Sequence, residues 1–284
     1  MNETNSAVAA VAPAFSAQGT CYQVTGRGCP VVLIHGVGLD QHMWAQQVAC
    51  LSQYYQVITY DMLGHGRSPP PPADASLKTY ADQLHALLAA LHIKRALVIG
   101  FSMGGLVARA FALHYPAAAA GLAILNSVYE RTPQQQAAVV ARAHQVALDG
   151  PAANVEAALQ RWFSDEYRRT HAAQLAALRQ TLLNNDKFGY LTSYRLFARE
   201  DRYLSEQLGS IRVPVLVATG EYDSGSTPAM SKALAGKIPG ARVAIVPGQK
   251  HMMVLEAMEQ VNALLLAFLQ DAFFNHQHTE ELRR

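Results

Sequence analysis

The sequence predicts an α/β fold: a mostly parallel, doubly wound sheet with helices on both faces and one all-helical insertion. Three observations predict it. Short continuous apolar runs recur at residues 31–34, 96–99, 121–125, 213–218 and 243–246, too short for helices and apolar at consecutive positions, as strands buried on both faces are. Amphipathic helical patterns separate most of these runs, and strands alternating with helices imply parallel pairing, with ligands at the carboxyl ends of the strands. The alternation then breaks off between Ser127 and Ser210, where helical patterns follow one another without a strand.

Composition bounds the reading. A chain of 284 residues, 50% hydrophobic, is long enough for one large α/β domain with an insertion. The net charge is +2, from 23 basic and 21 acidic residues, and no Lys/Arg cluster is dense enough for a nucleic-acid face. Cys21, Cys29 and Cys50 form no Cys-x-x-Cys pair, so neither a disulfide framework nor a zinc site is indicated and reduced thiols are expected. Residues 1–14 begin with Asn2 and Glu3 after the initiator and lack a basic stretch, which argues against a signal peptide, and no apolar run reaches the length of a membrane span. The expectation is a cytoplasmic protein whose partner is a small-molecule substrate, with no nucleic acid and no membrane, and with self-association left open.

In chain order, Pro30-Val31-Val32-Leu33-Ile34-His35-Gly36-Val37-Gly38 reads as a buried strand ending in a glycine loop, where the backbone N–H of Val37 is free to serve an oxyanion and His35 to fix the loop. Met43, Trp44, Gln47, Val48 and Leu51 mark a helix, and residues 56–60 return as a strand into Asp61-Met62-Leu63-Gly64-His65-Gly66-Arg67-Ser68, followed by four prolines that end any ladder. Leu77, Tyr80, Ala81, Leu84, Leu87, Leu88 and Leu91 have helical spacing, with Ser76 placed as N-cap. Within the insertion the patterns predict helices over 134–148, 152–163, 171–183 and 187–197. The resulting division is a flexible segment 1–14, a core over 15–127 and 211–273, a helical cap over 128–210, and a polar tail over 274–284. Trp162, Phe163, Tyr190, Tyr194 and Phe197 give the cap aromatic residues that read more readily as core than as pocket, with Trp162 kept as a candidate lining residue.

The chemistry centres on Gly100-Phe101-Ser102-Met103-Gly104, set between the strand 96–99 and a helix bearing Leu106, Val107, Ala110 and Leu113. That context places Ser102 on a sharp strand-to-helix turn near a helix N-terminus, where free N–H groups favour developing negative charge. A serine is a poor nucleophile until a neutral imidazole takes its proton, and the imidazole needs a carboxylate to fix its tautomer and orientation. His251, just after the last strand run, and Asp223, just after residues 213–218, supply these parts at successive strand ends. Glu221 is the rival acid and Glu130 a weaker one, whereas His65, His114, His276 and His278 lack the strand-end context.

These motifs, with His35-Gly36, Gly64-His65-Gly66-Arg67-Ser68 and Gly220-Glu221-Tyr222-Asp223, resemble those of the α/β-hydrolase superfamily over about residues 20–270. The Ser-Met-Gly-Gly elbow and residues 189–228 resemble the β-ketoadipate enol-lactone hydrolases and related small-molecule esterases. The resemblance implies an eight-stranded sheet with a cap after strand 6, a Ser102-His251-Asp223 triad, an oxyanion hole from the N–H groups of Val37 and Met103, and no cofactor or metal. It also implies a carboxylate-bearing ester or enol-lactone as substrate. A cap arginine is the matching partner, and Arg131 or Arg195 is expected because both sit beside the cap boundaries. Serine at the nucleophile position disfavours the dehalogenases and epoxide hydrolases of this fold, which use aspartate there. The C–C hydrolases of the meta-cleavage type carry Asn before the nucleophile and Trp after the histidine, where this chain has Phe101 and Met252. They stay open as the alternative, together with aminoacrylate-type hydrolases and a receptor that binds without turnover.

Overall fold

The apolar runs assemble into one eight-stranded sheet in a computed structural model that describes residues 12–281, with side chains as far as Ala272. The strands are β1 (Ala14–Phe15), β2 (Cys21–Thr25), β3 (Pro30–Ile34), β4 (Gln56–Tyr60), β5 (Ala96–Phe101), β6 (Ala119–Leu125), β7 (Val215–Gly220) and β8 (Arg242–Val246), in the order β1-β2-β4-β3-β5-β6-β7-β8. The β2 strand pairs antiparallel with β1 and β4, and the other neighbours run parallel. Neither β1 nor β2 was foreseen, because β1 has two residues and β2 is a partly exposed strand with Gln23 and Thr25 breaking its apolar pattern. Residues 1–11 of the segment expected to be flexible lie outside the described residues, while Ala14 joins the sheet opposite Tyr22.

Period-two alternation divides the consecutive apolar residues between two cores. Val32 and Ile34 of β3, Val98 of β5 and Leu122 and Ile124 of β6 enter one apolar cluster; Val31, Leu33, Leu97, Ile99, Ala123 and Leu125 enter the other. Helices then cover both faces. After β3 a 3-10 turn (Gln41–Trp44) leads into α1 (Ala45–Leu51); α2 (Leu77–Ala90) precedes β5, and α3 (Met103–His114) follows it. Between β6 and β7 come α4 (Pro133–Asp149), α5 (Val155–Trp162), α6 (Asp165–Thr170), α7 (Ala172–Leu183) and α8 (Lys187–Arg199); α9 (Pro228–Lys237) follows β7, and α10 (Met253–Glu256) and α11 (Met258–Glu281) follow β8. The expected polar tail is thus, as far as Glu281, a continuation of α11, and the side chains of His276 and His278 lie outside the described residues.

Local chemistry starts these helices. Ser76 precedes α2, its N–H donating to Thr79 Oγ1 at 3.0 Å. Thr132 and Gln135 form a reciprocal capping box ahead of α4, with Pro133 at the first helical position. The short α6 went unforeseen because its sequence, Asp-Glu-Tyr-Arg-Arg-Thr, has no apolar period; Ser164 starts it by accepting from the Tyr167 N–H at 3.1 Å. Among the described residues no helix is long and apolar enough to cross a membrane, and Cys21, Cys29 and Cys50 are unpaired.

Two buried histidines tie the loops at the carboxyl ends of β3 and β4. His35 accepts from the Met62 N–H at Nε2 (2.9 Å), so its proton sits on Nδ1 and is donated to the Gly36 carbonyl (2.8 Å). His65 packs edge-on to it with ring centroids 5.1 Å apart. Burial lowers His35 to about 4 and, with the neighbouring imidazole, His65 to about 3, so both are neutral at physiological pH. The stability that depends on this neutrality is constant above about pH 6.5 and falls as the pH drops toward 4, because the unfolded chain then binds protons that the folded chain excludes. Chemical denaturation at pH 7 and pH 5 should show a loss of about 2 kcal/mol per ring. The variant His65→Asn should lose less over the same interval by about that amount, and equal losses would show that His65 is not held neutral.

Candidate active site

Ser102 occupies the turn from β5 to α3 with φ 54° and ψ −114°, a conformation that costs on the order of 1–3 kcal/mol for a residue with a side chain. The turn is held on both sides: the Ser102 N–H donates to the Leu125 carbonyl at 2.8 Å, and its own carbonyl accepts from the Gly105 N–H at 3.0 Å. Close backbone approach makes the flanking glycines obligatory. A Cβ on Gly100 would overlap the Gly104 carbonyl, one on Gly104 would overlap the Ile34 carbonyl, and one on Gly105 would lie 2.6 Å from Ser127 Cβ. The result is a buried serine at the N-terminus of α3 whose side chain faces a cavity.

The next strand ends continue the arrangement. Asn126, directly after β6, is also left-handed (φ 48°) and is tied back by its N–H to the Ala218 carbonyl at 2.8 Å. Its Nδ2 donates to Asp223 Oδ2 at 3.0 Å. Asp223, after β7, accepts the N–H groups of Gly225 and Ser226 at Oδ1, both at 2.9 Å, and meets His251 Nδ1 with Oδ2 at 2.7 Å. Burial alone would raise this carboxyl; the His251 charge and hydrogen bond, with Asn126 and the Ser226 N–H, outweigh burial and hold it below the usual carboxylate range. Because a carboxylate only accepts, the His251 proton lies on Nδ1 and the Nε2 lone pair is free. Glu221 instead caps the turn at Gly248, accepting its N–H at 2.8 Å from an exposed position, and Glu130 is exposed.

Ser102, His251, Asp223 and Val37 border one cavity of about 170 Å³, roofed by the helices between β6 and β7. Three of those helices present stripes at helical spacing: Gln135, Ala138 and Arg142 from α4, Ala158, Arg161 and Trp162 from α5, and Tyr190, Tyr194 and Phe197 from α8. The aromatic residues expected as core therefore divide. Phe163 is buried in the core alone, Tyr190 and Tyr194 are buried core residues that also line the cavity, and the partly buried Trp162 and Phe197 line it too, with the Trp162 ring 5.8 Å from that of His251.

The arginine expectation needs correction. Arg195 follows Tyr194 by one residue, about 100° around α8, and is exposed on the far face. Arg131 does border the cavity, but its Nη1 donates to the Phe197 carbonyl at 2.9 Å and lies 3.7 Å from Asp201 Oδ1, leaving Nη2 without a partner. Arg142 and Arg161 are the cavity arginines missed in the sequence. Neither forms an ion pair among the described residues; Arg142 Nε contacts the Tyr194 hydroxyl at 3.3 Å, and Arg161 Nη1 donates to the Ala157 carbonyl at 2.8 Å. Burial and the Arg142 charge both disfavour protonation of Arg161, and burial lowers Arg131 to about 10 despite Asp201. Asp223 is the one carboxylate among the described lining residues, and its oxygens are already engaged. The cavity roof is thus strongly positive and complementary to an anion. Asn126 was also missed, although a polar side chain ending a fully apolar strand at the sheet's ligand end is its signal.

No group of three His, Cys, Asp or Glu side chains among the described residues is arranged to hold a metal ion. The backbone N–H groups of Val37 and Met103 donate to no other group among the described residues; Val37 borders the cavity and Met103 follows Ser102 at the start of α3.

The family model of the alpha/beta hydrolase fold matches residues 30–257. The chain is 34% identical to an (E)-2-((N-methylformamido)methylene)succinate hydrolase of Acinetobacter baylyi over 88% of its own length and 93% of that protein. It is 33% identical to 3-oxoadipate enol-lactonase 1 of the same organism over 69% of its length and 72% of that protein. The crystal structure of the enol-lactonase from Burkholderia xenovorans LB400 superposes with a TM-score of 0.82 at 31% identity, covering 88% of this chain and 97% of that one. With the sheet order, the strand-end site and the helices over it, these matches place the chain in the α/β-hydrolase family.

Proposed function

We propose that the protein is a serine hydrolase that cleaves a small, carboxylate-bearing ester or enol-lactone through an acyl-enzyme on Ser102. The observation that carries the reading is that a serine, a histidine and a buried carboxylate border one small cavity whose roof carries three arginines and no free carboxylate. The named relatives support it, since both act on or form chains bearing carboxylates by their names, succinate and oxoadipate.

The proposed chemistry assigns one step to each of these groups. His251 Nε2 accepts the Ser102 hydroxyl proton as Oγ attacks the substrate carbonyl, and Asp223 stabilises the imidazolium through Nδ1–H. The charge that develops on the carbonyl oxygen is met by the N–H groups of Val37 and Met103 at the start of α3, donors whose positions are fixed before the reaction. Collapse of the tetrahedral intermediate expels the alkoxide or enolate, which takes the proton back from His251 and leaves the acyl group on Ser102. Water then attacks the acyl group with His251 again as base and regenerates the serine. For an enol-lactone the leaving enol is part of the same chain as the acyl group, so the second step frees from Ser102 a single product bearing both the new carboxylate and the enol. Arg142 and Arg161, with Nη2 of Arg131, hold the substrate carboxylate.

Ser102→Ala should keep the fold and lose on the order of 10³-fold or more in kcat toward p-nitrophenyl esters and small enol-lactones, because triad members act as a unit. More than a tenth of wild-type activity in that variant would remove Ser102 from the mechanism. Labelling by a serine-directed phosphonate without any ester turnover would favour a receptor.

Asp223→Asn should cost about 10²- to 10⁴-fold in kcat at neutral pH by favouring the wrong His251 tautomer, whereas Glu221→Gln should change kcat little. The reverse ranking would move the acid's role to Glu221.

The arginines are tested by specificity. For an ester bearing a free carboxylate, Arg142→Ala and Arg161→Ala should each lower kcat/KM by about 30-fold or more, as loss of a buried charge pair costs about 2–5 kcal/mol. The neutral isostere should change by less than about threefold, and Arg195→Ala should behave as wild type. A wild-type enzyme that prefers the neutral ester would make a plain carboxylesterase the better description.

A further inference from the structure

The loop after β3 is joined to the cap by a continuous run of hydrogen bonds. Asn185 lies in the turn between α7 and α8, and its Nδ2 donates to the Gly38 carbonyl at 2.8 Å while also reaching the Thr181 and Leu182 carbonyls, both at 3.1 Å, at the end of α7. The Gly38 carbonyl shares a peptide plane with the Leu39 N–H, which donates to the Gly36 carbonyl at 3.2 Å. The Gly36 carbonyl in turn shares its plane with the Val37 N–H. The run therefore reads from the cap amide through two peptide units to the donor that borders the cavity. His35 reinforces the last unit from the core side, donating Nδ1–H to the same Gly36 carbonyl at 2.8 Å.

Packing gives the run its stiffness. Gly38 is left-handed at φ 77°, and a Cβ there would lie 2.7 Å from Tyr190 Cε2 and 3.0 Å from Leu182 Cδ2. Both of those side chains belong to the cap, so cap residues press on the loop at the point where Asn185 bonds it. Outside this contact the seam between cap and core opens into a crevice of about 920 Å³, bordered by Asp40, Arg67 and Asn185 among others. Asn185 is thus the polar tie at this loop, while the Tyr80–Ser193 hydrogen bond (2.7 Å) joins α8 to α2 elsewhere along the seam.

We propose that Asn185 is a positioning residue of the oxyanion hole: its amide fixes the two peptide planes that aim the Val37 N–H, so that docking of the cap completes the catalytic donors. The inference rests on the assignment of Ser102 and Val37 above. A carbonyl that accepts a hydrogen bond makes the N–H of its own peptide a stronger donor, so the amide also polarises the run toward the cavity. The effect belongs to the tetrahedral state and not to substrate binding, because only the oxyanion requires the Val37 donor at full strength.

The experiment compares Asn185→Ala and Asn185→Asp with wild type, and with Glu256→Gln as a control. Glu256 ties the cap elsewhere, accepting from the Ser164 N–H and hydroxyl, and has no link to the loop after β3. Three quantities are read: kcat and KM for one ester, the Kd of its carboxylate product, and the Ki of a boronic acid that forms a tetrahedral adduct on Ser102. Deleting one oxyanion donor outright costs about 10²–10³-fold, so disturbing its aim should lower kcat by about tenfold in both Asn185 variants. The boronate Ki should rise by a similar factor while KM and product Kd stay within about twofold, and Glu256→Gln should leave kcat and Ki within about twofold. A kcat loss without a change in boronate Ki, or an equal loss in Glu256→Gln, would reduce Asn185 to a cap anchor and overturn the inference. Unchanged kcat in Asn185→Asp would do the same. A wild-type protein that forms no boronate adduct at Ser102 would overturn the catalytic assignment and the inference with it.

Discussion

A buried carboxylate is the constraint on which the site depends. Asp223 is almost fully enclosed, and an unpaired charge there would cost several kcal/mol, so the fold must bring it donors. It does so from three places along the sheet: Asn126 after β6, the Gly225 and Ser226 amides of the turn after β7, and His251 after β8. Each donor is the terminus of an otherwise apolar parallel strand or of the loop leaving it. The parallel register that buries Leu122, Val217 and their neighbours on both faces therefore also fixes the distance between the acid and the imidazole. Stability of the sheet and alignment of the imidazole are one requirement.

The nucleophile turn shows the same dependence from the other side. Ser102 and Asn126 are adjacent left-handed residues at adjacent strand ends, and each is anchored by its N–H to the last residues of the next strand. Neither conformation would persist without the neighbouring strand, because each costs energy locally and is over-determined only by the assembled sheet. The free amides of Val37 and Met103 belong to two segments packed without intervening side chains, since a Cβ on Gly104 would overlap the Ile34 carbonyl.

Electrostatics separates the roof from the floor. The floor holds a carboxylate fully engaged by donors, and the roof holds arginines that disfavour one another's charge. Arg142 acts on both Arg131 and Arg161 in this way. The roof is in this way complementary to negative charge at the point where the cap faces Ser102. The enclosed cavity strengthens the effect, because charges interact more strongly away from bulk water.

The sequence by itself determined the sheet and the strand-end chemistry. Consecutive apolar residues such as Val31–Ile34 have no other use than burial on both faces, and Ser102 directly follows such a run, whereas Asp223 and His251 lie in the loops after β7 and β8, the last a partly exposed edge strand whose apolar run nonetheless marked it. Asn126 met the same criterion and was legible by the same rule. Gln23 and Thr25 hid β2, a partly exposed strand flanked on one side only by the two-residue β1, where polar residues are tolerated and blur the alternation. Only the tertiary structure decided the roof. The cap helices carry arginine on several faces, and which face turns inward depends on how α4, α5 and α8 pack over the sheet. One residue of helical phase, about 100°, separates the cavity-lining Tyr194 from the exposed Arg195. Strand ends are set by local burial, whereas helix faces over a cavity are set by contacts between segments far apart in the chain.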